Sequence, residues 1–327
     1  MERSVGKLIV IGDLHYTESA DSPRAALWRP VGIPRLFAAA GRIARDAGAA
    51  LALQIGDLVG GEEADGVAAH EALLAGAWGA LKGALPGVPL AIAPGNHDTR
   101  GEGGPEAWAC FMAPRLAADC QGAGGSPATS ANRVLPLGDD ALILLDSNTP
   151  DDTFAALPRL LLETADCRRL FVAVHHPVIP CYYGLSYRSI FLGEPERDAE
   201  RLEALRLFAG RHAIVLCGHD HRNSFLDWSD GRGGRIVQIP VSSLWDGSEP
   251  ALHLVYSSPD EYGRYYEREG RADAAAFFAW YRRGLTAYRH LEGAGFVLLE
   301  SSPEMLAVSF FAGDSATPFD RIDINEL

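Results

Sequence analysis

The sequence predicts an α/β fold in which short apolar strands alternate with helices. Two patterns and the size of the chain support this. Apolar runs of about four or five residues recur between helix-like stretches. Several of these runs end in loops rich in Gly, Asp, Asn and His, where open α/β sheets bind ligands. With 327 residues, 47% of them hydrophobic, the chain can bury a large core.

Residues 7–11 form the first expected strand, closed by Gly12-Asp13-Leu14-His15. Residues 16–34, punctuated by Pro23, Pro30 and Pro34, read as a loop with a helical turn. Residues 35–48 predict an amphipathic helix with Leu36, Phe37, Ala40 and Ile43 on one face and Gly48 at its end. Residues 51–55 are the second strand, closed by Gly56-Asp57, and a helix from about 67 to 85 stops at Pro86-Gly87. The third strand, 90–93, runs into Pro94-Gly95-Asn96-His97-Asp98. A Gly-rich loop at 99–105 precedes a helix over 106–120 that Pro114 should bend or break. Residues 122–127 read as a second loop, and 133–137 with 141–146 as a hairpin.

Strands at 170–174 and 213–216 run into His175-His176-Pro177 and Gly218-His219-Asp220-His221, and 235–239 is a further strand. The composition changes near Pro250. Residues 273–291 are aromatic-rich and helix-like, and 296–299 is expected to pair with 306–311. Residues 1–250 are therefore assigned to a core, and 251–327 to an α+β extension packed on it.

A net charge of −14 argues against electrostatic capture of long nucleic acid or an anionic membrane. No apolar run approaches the roughly 18 residues of a membrane helix, and no secretory pattern is visible. Five cysteines, with no Cys-x-x-Cys pair, are expected as reduced thiols of a cytoplasmic protein. A homo-oligomer is left open.

The strand-end loops offer seven oxygen and nitrogen donors: Asp13, His15, Asp57, Asn96, His175, His219 and His221. Residues two apart project to one side of an extended chain, so Asp13/His15 and His219/His221 are each expected to grip one centre. Seven donors exceed the four that one zinc takes, and suit two cations sharing a carboxylate. Carboxylate and imidazole without thiolate fit Mn, Fe or Zn. His70, His212, His253 and His290 lack comparable neighbours and are read as structural.

The order Asp-x-His, Gly-Asp, Gly-Asn-His-Asp, His-x-Pro, Gly-His-x-His resembles the calcineurin-like metallophosphoesterases over residues 7 to about 242. Within them it looks most like the bacterial cyclic-nucleotide and glycerophosphodiester phosphodiesterases, through His175-His176-Pro177 and Leu145-Asp146-Ser147. The resemblance implies a four-layer αββα sandwich. It places Asp13, His15 and His221 on one metal, Asn96, His175 and His219 on the other, and Asp57 between them. His97, oriented by Asp98, would stand beside the leaving group. His176 is left near the ligands or facing substrate, and Tyr182, Tyr183 and Arg188 are candidate substrate contacts.

The implied activity is hydrolysis of a small phosphodiester by a hydroxide shared between two cations. A phosphomonoesterase or a non-catalytic phosphate-binding module are the alternatives. One departure stands out: the segment between Asp146 and His175 lacks the Gly-x-Leu turn and Trp-bearing helix that relatives often carry there.

Overall fold

The structure is a computed structural model that describes residues 6–61, 64–121, 131–181, 195–248, 252–264, 267 and 270–326. Strands β1 (Gly6–Ile11), β2 (Leu51–Gln54) and β3 (Leu90–Ile92) pair in parallel. Beyond β1, three strands from the end of the chain complete the sheet: β12 (Gly295–Ser301), β13 (Leu306–Ala312) and β14 (Asp320–Asp323). The order is β14-β13-β12-β1-β2-β3.

A second sheet has the order β10-β11-β8-β9-β7-β6-β5-β4. Its parallel centre is β5 (Asp140–Leu145), β6 (Leu170–Val174), β7 (Ile214–Cys217) and β9 (Arg235–Pro240). Around it run β4 (Arg133–Leu137), β8 (Asn223–Ser229), β10 (His253–Tyr256) and β11 (Leu285–Glu292), all antiparallel to their neighbours.

Side-chain alternation explains the layers. In β1, Leu8 and Val10 enter the core between the sheets, whereas Ile9 and Ile11 face helices α1 (Ile33–Ala47) and α2 (Val67–Ala84). In β6, Phe171 and Ala173 face that same central core. Leu170, Val172 and Val174 instead face α5 (Pro150–Glu163), α6 (Asp198–Gly210) and α7 (Ala272–Arg282). Both faces are buried, so the strands read as unbroken apolar runs. The four layers are helix, sheet, sheet, helix, as the αββα expectation requires. The expected hairpins β4–β5 and β12–β13 both form.

One expectation is corrected and another is narrowed. Residues 273–291 are not one helix, because α7 ends at Arg282 and Gly284 precedes strand β11. Leu285, Tyr288, His290 and Leu291 of that strand are buried, and pairing with β8 on one side and β10 on the other outweighs any helical tendency. Of the two outcomes expected at Pro114, a bend or a break of the 106–120 helix, the break does not occur. The path continues from α3 (Gly104–Ala107) through a wide turn at Trp108–Met112 into α4 (Ala113–Gln121). In that turn the Ala113 N–H donates to Trp108 O, an i+5 bond that makes room for the proline ring. The segment 251–327 supplies β10 and β11 to one sheet and β12, β13 and β14 to the other.

His290, on β11, is buried and pairs through Nδ1 with Ser224 Oγ at 3.0 Å. Burial, with the charges of Arg222 and His253, lowers its pKa to about 4. The unfolded chain therefore binds this proton first, and the contribution is complete above pH ~6.5 and lost as pH falls toward 4. Between pH 6.5 and 4, wild type should lose up to about 3 kcal/mol more stability in urea than His290→Gln. Parallel losses would refute the assignment.

Candidate metal centre

The strands that carry the candidate ligands are parallel within each sheet, so their C-terminal ends open on one rim. The loops there depart from ordinary backbone. Asp13, His15, Asp57, His219 and His221 all have positive φ, between 45° and 72°. Such strain costs about 1–3 kcal/mol per residue. One fully buried Leu, Ile or Val contributes a similar amount, so the apolar strands can hold these turns. These turns separate two donors that their spacing alone put on one centre and the resemblance put on two. His219 and His221 do not lie on extended chain, and they point into different halves of the site.

In one half, Asp13, His15, Asp57 and His221 bring ligand atoms within 4.8 Å of one another. His15 Nε2 lies 3.1 Å from His221 Nε2 and 3.6 Å from Asp57 Oδ2. In the other half, His175 Nε2 lies 3.1 Å from His219 Nδ1, 3.2 Å from Asn96 Oδ1 and 3.3 Å from Asp57 Oδ1. Asp57 thus turns one carboxylate oxygen to each half.

The chemistry of these donors fits a cation in each half. His175 Nδ1 faces the Ile55 carbonyl at 2.9 Å, which can only accept, so Nδ1 carries a proton. The Nε2 lone pair of the neutral ring would then face the lone pairs of Asn96 and Asp57. Burial pulls the His175 pKa down, but the neighbouring Asp57 charge overcomes this and raises it to about 9. The electron-rich pocket therefore draws positive charge to the point where a cation would stand.

Burial keeps His15 well below its ordinary pKa, and lowers His219 to about 3 and His221 to about 4, leaving these rings neutral as ligands must be. Burial holds Asp13 well above the ordinary carboxylate range, and its Oδ2 is buried without a hydrogen-bond partner. Asp57 would rise on burial too, but His175 and His15 pull it well below that range.

Small residues make the close approach feasible. A Cβ on Gly95 would meet Asp57 N at 2.1 Å, and one on Gly56 would meet His175 Nδ1 at 2.3 Å. Gly56 also has a φ of +86°, which a side chain would strain.

His97 lies on the Asp57 side of the centre, with Nε2 3.9 Å from Asp57 Oδ2 and its ring edge-on to His15 at 4.6 Å. Its Nδ1 is held by the Gly60 carbonyl at 2.8 Å. Asp98, expected to orient it, instead accepts the N–H groups of Val59 and Gly95 and so ties two rim loops together. Burial and the nearby Asp57 charge raise Asp98 to about 7. His176 is fully buried, as His15 and His175 are, and one of its ring nitrogens lies within 4.8 Å of ligand atoms of His175 and His219. Its Nδ1 is 2.6 Å from Ser147 Oγ, and its ring is 4.2 Å from that of His219. Tyr182, Tyr183 and Arg188 lie outside the described residues.

Several supports of the site were not anticipated. Ser243 Oγ accepts the Gly12 N–H at 2.8 Å. Gln54 clasps the Gly56 turn through both amide atoms. Gln238 accepts the N–H groups of Val178 and Ile179, just beyond the histidine pair. For Gln54 and Gln238, a lone amide within an apolar strand was the available signal.

Residues 6–223 match the calcineurin-like phosphoesterase family. The chain belongs to this family. The calcineurin-like phosphoesterase is accordingly a metal-dependent hydrolase of phosphoesters, and its two clusters, Asp13/His15/Asp57/His221 and His175/His176/His219, indicate a binuclear metal site. No curated protein matches it in sequence.

Among solved structures, a dimetal phosphatase from Danio rerio aligns with a TM-score of 0.59 at 12% identity, covering 98% of each chain. A purple acid phosphatase from seeds of yellow lupin (Lupinus luteus) aligns at 0.57 and 13% identity. That alignment covers 98% of the phosphoesterase but only 54% of the lupin chain, so the phosphoesterase spans about half the length of that relative. GAP50, the anchor in the inner membrane complex of Plasmodium, aligns at 0.52 and 12% identity over 98% and 88% of the two chains. At these identities the likeness is one of fold. No described helix is long and apolar enough to cross a membrane.

Proposed function

We propose that the phosphoesterase hydrolyses a small phosphodiester of the cyclic-nucleotide or glycerophosphodiester type. The observation that carries the chemistry is the division of Asp57 between the two halves of the site. Asp13, His15 and His221 would hold one cation, Asn96, His175 and His219 the second, with Asp57 shared. The nitrogen and oxygen donors suit Mn, Fe or Zn. Such a pair supplies charge for the phosphoryl oxygens and lowers the pKa of water.

The chain's own groups do the rest. Asp57 and the backbone turns fix the imidazoles in place. His97 has its Nδ1 proton committed to Gly60, so the proton it moves is on Nε2, offered to the departing alkoxide. A diester is favoured because Ser147 and His176, one from each phosphodiesterase-like motif, are in contact at 2.6 Å. The net charge of −14 also penalises a dianionic monoester more than a monoanionic diester.

Manganese- or iron-loaded protein should cleave bis(p-nitrophenyl) phosphate with a kcat/KM at least about tenfold above that for p-nitrophenyl phosphate, a margin of about 1.4 kcal/mol. The reverse ratio would make it a phosphomonoesterase, the activity suggested by the names of the zebrafish and lupin proteins.

A further inference from the structure

Arg24 lies half-buried in the loop between β1 and α1. Its Nη1 stands 3.7 Å from where a Cβ on Gly60 would be, and the carbonyl of Gly60 is the group that holds His97. Its positive charge is also felt at His15 and His221, whose proton affinity it lowers. The guanidinium is therefore near both His97 and the Asp13 half of the centre.

Its loop is anchored there. The Arg24 N–H donates to Ser22 Oγ at 3.2 Å, and its carbonyl accepts from Leu27 N–H at 3.0 Å. The turn that follows, Ala25–Trp28, is tied to the site by Trp28 Nε1, which donates to the His15 carbonyl at 3.2 Å. An anionic ester approaching this rim meets the buried Asp57 carboxylate, and a cationic side chain beside it would add to the charge that the two cations supply. Arginine's fork of N–H donors matches phosphoryl oxygens.

We propose that Arg24 is a substrate-binding residue of this centre, donating to a non-bridging oxygen of the phosphoester. The proposal rests on the reading of the site as a phosphoester hydrolase. It assigns substrate capture to the loop after β1, and it makes affinity for the anion, rather than for the metals, depend on residue 24.

Inorganic phosphate is the probe, its binding to the manganese-loaded full chain measured by calorimetry beside hydrolysis of bis(p-nitrophenyl) phosphate. Arg24→Gln should weaken phosphate binding about 10- to 100-fold and raise KM, with metal content and melting temperature unchanged. Arg24→Lys should recover part of the loss. Phosphate binding equal to wild type in Arg24→Gln would overturn the proposal, as would joint loss of metal and phosphate, or no phosphate binding by the wild type. If wild type hydrolyses no ester while Arg24→Gln still binds phosphate at least tenfold more weakly, the functional reading falls and the Arg24 site stands.

Discussion

Asp57→Asn should deplete both metal positions and lower turnover on the order of 10³-fold or more. The carboxylate presents Oδ2 to His15 and Oδ1 to His175, and Oδ1 also accepts the His97 N–H at 2.9 Å. An amide of the same shape can turn its oxygen to one half only. Its NH₂ then faces the other half and repels a cation, and the shared negative charge is gone. Loss at this position therefore differs in kind from loss of a ligand held by one half alone, such as His221. Metal content by mass spectrometry should fall well below two per chain. Full metal content in Asp57→Asn with turnover within tenfold of wild type would mean that the two halves do not share this residue.

His97→Ala should lower turnover about 10²- to 10⁴-fold while metal content stays at the wild-type level. The ring touches neither half through the bonds that hold the donors together. It is fixed by Gly60 and stands edge-on to His15. If its Nε2 proton goes to the leaving oxygen, the loss should depend on that oxygen's basicity. A p-nitrophenolate leaves without help, so bis(p-nitrophenyl) phosphate should suffer less than an alkyl diester. Equal losses on both esters, or metal lost together with rate, would remove His97 from the proton-transfer role.

Much of the centre was legible because each donor sits next to a local signal, an apolar strand stopped by Gly or Pro. Asp13, Asp57, Asn96, His175 and His219 each follow such a run, and they meet at one rim. The split of His219 from His221 was carried by the family resemblance alone; two-residue spacing put them on one centre, because the split depends on left-handed backbone at non-glycine residues. The holding of His97 by Gly60, a contact across 37 positions of sequence, was not legible.

In the fold, the strands at 133–137 and 306–312 were readable from alternation and turns. Strand β8, with Asn223, Ser224 and Asp227 among its buried residues, carries too many polar groups to read as apolar. These are matched across the sheet, Asp227 by Arg235 and Ser224 by His290. The pairing of β12 with β1 joins Val297 to Val10, a partnership that no local pattern reports. Helices α5 and α6 lay in stretches where Pro158 and weak amphipathicity hid the helical period.

An anomalous-scattering map of crystals grown with manganese tests the central claim most directly. It should show two peaks, one among Asp13, His15, Asp57 and His221, the other among Asp57, Asn96, His175 and His219. A single peak, or a second ion held by His176 with Asp57 outside its coordination, would contradict it.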